Sequence, residues 1–366
     1  MSDHPSVRLK TGQREHMLRY RRSVSRSLLG LFILTACSAP DTGPEYLDNY
    51  TKRLSTAAGE ALPAYGSLIV PPRVSDAAIA PIPIDNGSIN IVDFLSLADC
   101  ELQVNIGRRN SLLGRHASPS QQLLLDLEFL ALAPACIKIL SEAGESTLVS
   151  SLEVISQSKQ NQLAPRIFNA LFTEVEWRDF WRLPAALKSY PDNAGGDLLD
   201  SLHWLDRQVQ AWLSGEQTAD AQELERHLAV IRTGDGGHLL LAAALQAREL
   251  ERASATLKQR EHPLCPGGSA TEAARIIERV VLKYFIGDVQ PWLANLSRRE
   301  HEILTIVRSI ETQLGNTLTP SYQAWRTARD ELLDKLKNVP LAHVAVIKTV
   351  LSDCHGLQIL AAGAHP

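Results

Sequence analysis

No stretch beyond the first forty residues is apolar for long enough to cross a bilayer, which takes ~20 residues. Membrane-spanning helices are therefore not expected in the body of this 366-residue chain. Strand-like alternation of apolar and polar residues never persists, which argues against a sheet. Solenoid-length repeats are absent too. Basic charge is also scarce: 37 Lys and Arg stand against 41 Asp and Glu. Seven basic and two acidic residues fall within residues 1–36, so the remainder holds 30 basic and 39 acidic side chains, a net charge of −9. That balance argues against nucleic acid or an anionic lipid surface as the partner.

Cysteine is sparse, with five in all, and the first is the most informative. Arg19, Arg21, Arg22 and Arg26 precede a short apolar run, Leu28–Leu34, which ends in Leu34-Thr35-Ala36-Cys37. A basic region feeding a short apolar core is the layout of a secretory signal. The terminal tetrapeptide resembles the bacterial lipobox, which implies diacylglycerol on the Cys37 thiol, cleavage before it and acylation of the new amino group. Ser38 in place of Asp implies onward sorting to the outer membrane. The expected division is residues 1–36 as signal peptide, 37–44 as lipidated cysteine and tether, and 45–366 as a single helical periplasmic domain. A start at Met17 gives a signal of ordinary proportions and is the expected start. The covalent lipid on Cys37 is the expected membrane anchor, with no other cofactor.

Four cysteines then remain, Cys100, Cys136, Cys265 and Cys354, and an even set in an oxidising compartment reads as two disulfides with three pairings open. Cys265 lies in a Pro-Leu-Cys-Pro-Gly-Gly loop and Cys354 at the end of the final helical run, places where backbones can approach. That favours Cys265 with Cys354, and leaves Cys100 with Cys136. The latter requires the segment Arg108–Ala117 to stay extended or to carry the chain back along the preceding helix.

The rest reads as helix. A helix is expected at about 45–59, then an extended segment over 62–87 enforced by Pro63, Pro71, Pro72, Pro81 and Pro83. Ser118-Pro119-Ser120-Gln121 and Ser269-Ala270-Thr271-Glu272 are capping boxes, and Thr319-Pro320 opens a further helix. Pro134 is expected to kink or end the first of these, and Pro291 to bend the chain. Gly234–Gly237 separates two helical runs. The fold class is all-α: an irregular multi-helix bundle behind a lipoprotein signal and a Pro-rich extended segment.

DFLSLADCELQ (Asp93–Gln103), RRNSLLGR (Arg108–Arg115), PSQQLL (Pro119–Leu124) and DVQPWL (Asp288–Leu293) resemble the proteobacterial lipoprotein family called domain of unknown function 3080. The resemblance implies an envelope lipoprotein of Gram-negative bacteria and brings no catalytic residues with it.

Other constellations are weaker. Glu145-Ser146 resembles the Glu-Ser pair of lytic transglycosylases, but the downstream segments of that family are missing, and a helix start explains the pair. Trp177 and Trp181 stand at i,i+4 among Glu174, Glu176 and Asp179. They form either a ligand surface for glycan or peptide, or part of the core. His262, Cys265, Cys354 and His355 contain the elements of a zinc site, though disulfide pairing competes for both thiols, and no metal is expected. The expected protein is a non-catalytic binding or structural protein on the periplasmic face of the outer membrane. Its partners would be the membrane, through the lipid, and an envelope protein or the cell wall. The alternative is a periplasmic cell-wall hydrolase or lyase.

Overall fold

Start signals in the sequence become helix starts in the structure, a computed structural model that describes residues 42–69, 71–85, 94–217 and 220–358. The signal peptide, Met17 and Cys37 lie outside the described residues. Ser118 Oγ accepts the Gln121 N–H and Thr319 Oγ1 that of Tyr322; in the second box the cap is Thr271, whose Oγ1 accepts the Ala274 N–H, and not Ser269. Each satisfies one of the donors that a helix start leaves unpaired. The helices are α1 (Gly43–Ala58), α2 (Leu102–Asn110), the single turn α3 (Leu112–Arg115), α4 (Pro119–Glu142), α5 (Ser146–Asn161), α6 (Leu163–Phe172), α7 (Val175–Phe180), α8 (Asp197–Leu213), α9 (Ala221–Arg232), α10 (Gly236–Lys258), α11 (Glu272–Val280), α12 (Gln290–Leu314), α13 (Pro320–Lys337) and α14 (Val339–Leu351). Among the described residues there is no strand, only an isolated parallel bridge between Ser269 and His355. The fold is all-α.

Helix α10 organises the body. Leu240, Ala243, Ala244 and Ala247 face one hydrophobic cluster, which also contains α6, α7, α8 and α13. Leu239, Ala242, Leu250, Ala253 and Leu257 face a second, shared with α1, α11 and α14. The alanines allow close approach on both sides. By length and composition the stretch Ala221–Lys258 passes for a membrane span, contrary to the expectation that no such segment exists. Thr233–Asp235 breaks it into two helices, and buried Glu249 and Arg252 sit within α10, their carboxylate and guanidinium 2.8 Å apart. It is a core helix. A third, smaller cluster joins α2, α4 and α5. The described residues form one compact unit.

Two proline expectations meet different outcomes. Pro134 does not end α4, which continues to Glu142. Its ring lies on the exposed side of the helix, and the carbonyl that loses its N–H partner is that of Leu130, one turn earlier. Before Pro291 the chain widens into a π-helical segment, Val281–Val289, with the Gln290 N–H bonded back to the Phe285 carbonyl. Proline supplies no N–H to Gly287 and crowds that carbonyl, and the wider turn accommodates both.

The described part of the Pro-rich segment is extended apart from a turn at 76–79, and lies as a strap across the body. Asn169 bonds both the N–H and the carbonyl of Ile82, Gln162 takes the Asp85 N–H, and Arg252 donates to the Pro63 carbonyl.

The disulfides join Cys100 to Cys136 and Cys265 to Cys354, with Cα separations of 5.3 and 5.1 Å. The first staples the start of α2 to the later part of α4. Turn α3 carries the chain back over the end of α2, closely enough that a Cβ on Gly114 would lie 2.1 Å from the Arg108 carbonyl oxygen.

Candidate functional site

The fold-back of α3 has a surface consequence. With Gly114 pressed onto α2, the two leucines of the turn cannot point inward, and Leu112 and Leu113 are 71% and 84% exposed. Leu113 lines a groove of about 760 Å³ whose other walls include Leu124, Leu125, Leu127, Ala131 and Leu132, and Leu112 is its neighbour in the turn. Arg108 and Glu128 form an ion pair at its edge, and Asn105 donates to the same carboxylate at 2.8 Å. Adjacent aliphatic side chains left in water mark an interaction surface more often than a scattered exposed residue does.

Titratable groups converge in another place. The loop ending in Tyr190–Gly195, the α9–α10 junction and Arg299 of α12 enclose a cavity of about 360 Å³. Arg299 donates to both oxygens of Asp235, at 2.9 and 2.8 Å, and to the Gly195 carbonyl at 3.1 Å. Burial lowers the His238 pKa, opposed by the Asp235 carboxylate, so that imidazole is neutral near pH 7. Burial also raises the pKa of Tyr190, with the Asp235 charge adding to it. The Tyr190 carbonyl accepts from the Trp292 indole at 2.9 Å.

The glycines of this junction serve close packing. A Cβ on Gly237 would lie 1.8 Å from the Arg182 carbonyl oxygen, and one on Gly236 would meet Phe180 at 2.9 Å. Gly234–Gly237 is thus both a helix break and the contact on which the α7 end rests. Asp235, held bidentately by Arg299, locks that junction and is not placed as a free general acid or base.

Trp177 and Trp181 do not form a ligand surface. They are 3% and 2% exposed, inside an aromatic cluster with Phe172, Phe180, Tyr322 and Trp325. Burying two indoles removes far more apolar area from water than their amphipathic setting suggests, and that decides the outcome. Arg329 lies under Trp181 and Trp325, 5.1 Å from each ring, and its charge is matched by Glu311 at 2.9 and 3.0 Å. Glu145 is the exposed residue preceding α5, a helix start. Cys265 and Cys354 are bonded to each other and unavailable to zinc, and among the described residues no cluster of His, Cys, Asp and Glu could hold a metal.

The family model for a protein of unknown function, DUF3080, matches residues 47–357. The chain belongs to this family. No curated protein and no solved structure matches it. The matched span begins in α1 and ends beyond the Cys265–Cys354 disulfide, and so includes the strap, both disulfides and the groove beside Leu113.

Proposed function

We propose that this protein is a lipid-anchored, non-catalytic envelope protein on the periplasmic face of the outer membrane, which holds a partner protein through the groove beside Leu112 and Leu113. The observation that carries the reading is exposed Leu113 lining an aliphatic groove of about 760 Å³, with exposed Leu112 next to it in the turn. Fully burying two such side chains stabilises a complex by ~1.5–3 kcal/mol each. An aliphatic segment of the partner is the chemistry that fits. Two disulfides suit an oxidising compartment, and the lipobox ending at Cys37 supplies the anchor.

The test is made in cells. Labelled palmitate should enter the wild-type protein and be lost in Cys37→Ala, which should leave the outer-membrane fraction. A photo-crosslinker at position 113 should give one discrete adduct with an envelope protein, and Leu112→Asp should abolish it. Retention of label in Cys37→Ala would overturn the anchor. An unchanged adduct in Leu112→Asp would overturn the groove.

A further inference from the structure

The link between the lipobox cysteine and the folded body is short. Cys37 precedes Gly43, the first residue of α1, by six residues, which reach at most ~20 Å. An acylated Cys37 would therefore hold the start of α1 close to the bilayer.

A groove of about 600 Å³ runs between α1 and α11. Its floor is apolar, made by Ala57, Ala273, Ile276 and Val280, and its edge carries Lys52 and Arg53. The Arg53 guanidinium sits 4.4 Å over the Tyr284 ring, and the Lys283 ammonium 5.2 Å from the same ring. Arg279 adds a further cation from α11. Counterbalancing carboxylates are fewer: Asp48 pairs with Lys52 at 2.7 Å and Glu272 with Arg279 at 3.1 Å. Glu45 also lies on α1, and Arg275 and Glu278 on α11, while the groove's own lining holds two cations, Lys52 and Arg53, and no carboxylate. The patch is net positive in a chain whose residues 37–366 carry a net charge of −9. An overall acidic balance speaks against anionic surfaces only on average, and here the exception stands next to the attachment point.

We propose that the α1–α11 face is a second membrane contact, with Lys52, Arg53, Arg279 and Lys283 meeting the phosphates of anionic phospholipids and Ile276 entering the interface. This rests on the lipid-anchor reading and goes beyond it. A lipid surface fits better than a free phosphate, because the cations are spread along two helices over an apolar floor and do not converge on one point. Lipid chains and a basic patch are two of the signals that stable membrane attachment combines. Each basic side chain near an anionic surface adds to the attraction, which salt screens.

The experiment uses the full lipidated protein in vesicles of phosphatidylethanolamine and phosphatidylglycerol. An environment-sensitive fluorophore is placed on Ile276→Cys, on Thr56→Cys as a second probe of the groove, and on Val154→Cys as an exposed reference on α5. Brominated lipid should quench the first two probes and spare the third. Arg53→Glu combined with Arg279→Glu and Lys283→Glu should cut the quenching severalfold, as should high salt, while added inorganic phosphate should not. Mass analysis of the Cys37 peptide reports the anchor separately. An unacylated Cys37 would overturn both readings. Acylated protein whose three probes are quenched alike, whose groove probes are shielded from lipid by a protein partner, or whose quenching ignores charge reversal would overturn this one alone.

Discussion

At the scale of single residues, the buried polar groups carry the most chemistry. His343 is fully buried between α1 and α10, yet both ring nitrogens are matched. Ser254 donates its proton to the Leu250 carbonyl at 2.8 Å, so its oxygen is left to accept from His343 Nδ1, also at 2.8 Å. The Tyr50 hydroxyl then donates to Nε2 at 2.7 Å, and the imidazole is the neutral Nδ1–H tautomer. A second proton would displace the Tyr50 donor, and burial holds the His343 pKa down at about 4. The unfolded chain, with an ordinary histidine pKa near 6.5, therefore binds a proton that the folded one refuses. Stability from this residue is complete above about pH 6.5 and falls as pH drops towards 4, by roughly 3 kcal/mol in all. Chemical denaturation at pH 7 and pH 4 should show that excess loss in the wild type relative to His343→Gln, in which other titrating groups cancel. Parallel pH dependence in the two proteins would sink the assignment. No spacing in the sequence singles out His343, because its partners lie 293 and 89 residues away.

Among the helices and turns, glycine separates the places where backbones touch from those where they do not. Gly237 opens α10 against the Arg182 carbonyl, and Ala there must push two segments apart; overpacking of this kind costs about 1–3 kcal/mol or more. Gly107, inside α2, faces only Phe94 at 3.8 Å, so Gly107→Ala should gain up to ~1 kcal/mol of helix propensity. Thermal or denaturant midpoints should move in opposite directions for the two alanines. A common direction would show that the α7–α10 contact is not as close as described. The same division explains what the sequence makes legible. Caps and helix starts are local, so Ser118 and Thr319 announce themselves, whereas the box read from Ser269 is off by two residues and Thr271 is the cap. Pro134 is ambiguous in the sequence, because a proline removes one N–H from the carbonyl four residues earlier without having to stop the helix, and α4 continues past it. Trp177 and Trp181 share spacing with a binding platform, and only the arrival of Tyr322 and Trp325 from α13 assigns them to the core. The groove beside Leu113 depends on Gly114 folding a turn back onto α2, which no periodicity records.

Over the whole molecule, the two disulfides link stability to compartment. They close separate spans of sequence, 36 and 89 residues apart, one stapling the cluster of α2, α4 and α5 and the other tying the loop before α11 to the end of α14. In the chain-entropy account, closing loops of these lengths stabilises the fold by about 4 and 4–5 kcal/mol. Because the spans do not overlap and the two bonds lie in different hydrophobic clusters, their contributions should add to about 8 kcal/mol. That sum is comparable to the entire net stability of an ordinary domain, about 5–15 kcal/mol. A protein built this way should fold poorly where thiols stay reduced. Cys265→Ser with Cys354→Ser should lower the unfolding free energy by about 4–5 kcal/mol, and Cys100→Ser with Cys136→Ser by about 4. The quadruple variant should lose native structure at 37 °C, and so should the wild-type sequence expressed without residues 1–36 in a reducing cytoplasm. Denaturation of each pair under oxidising conditions, and protease resistance of the cytoplasmic product, provide the measurements. A quadruple variant that still unfolds cooperatively with near wild-type midpoint would show that the three hydrophobic clusters hold the fold without the bonds. It would also remove the disulfides as an argument for an oxidising address.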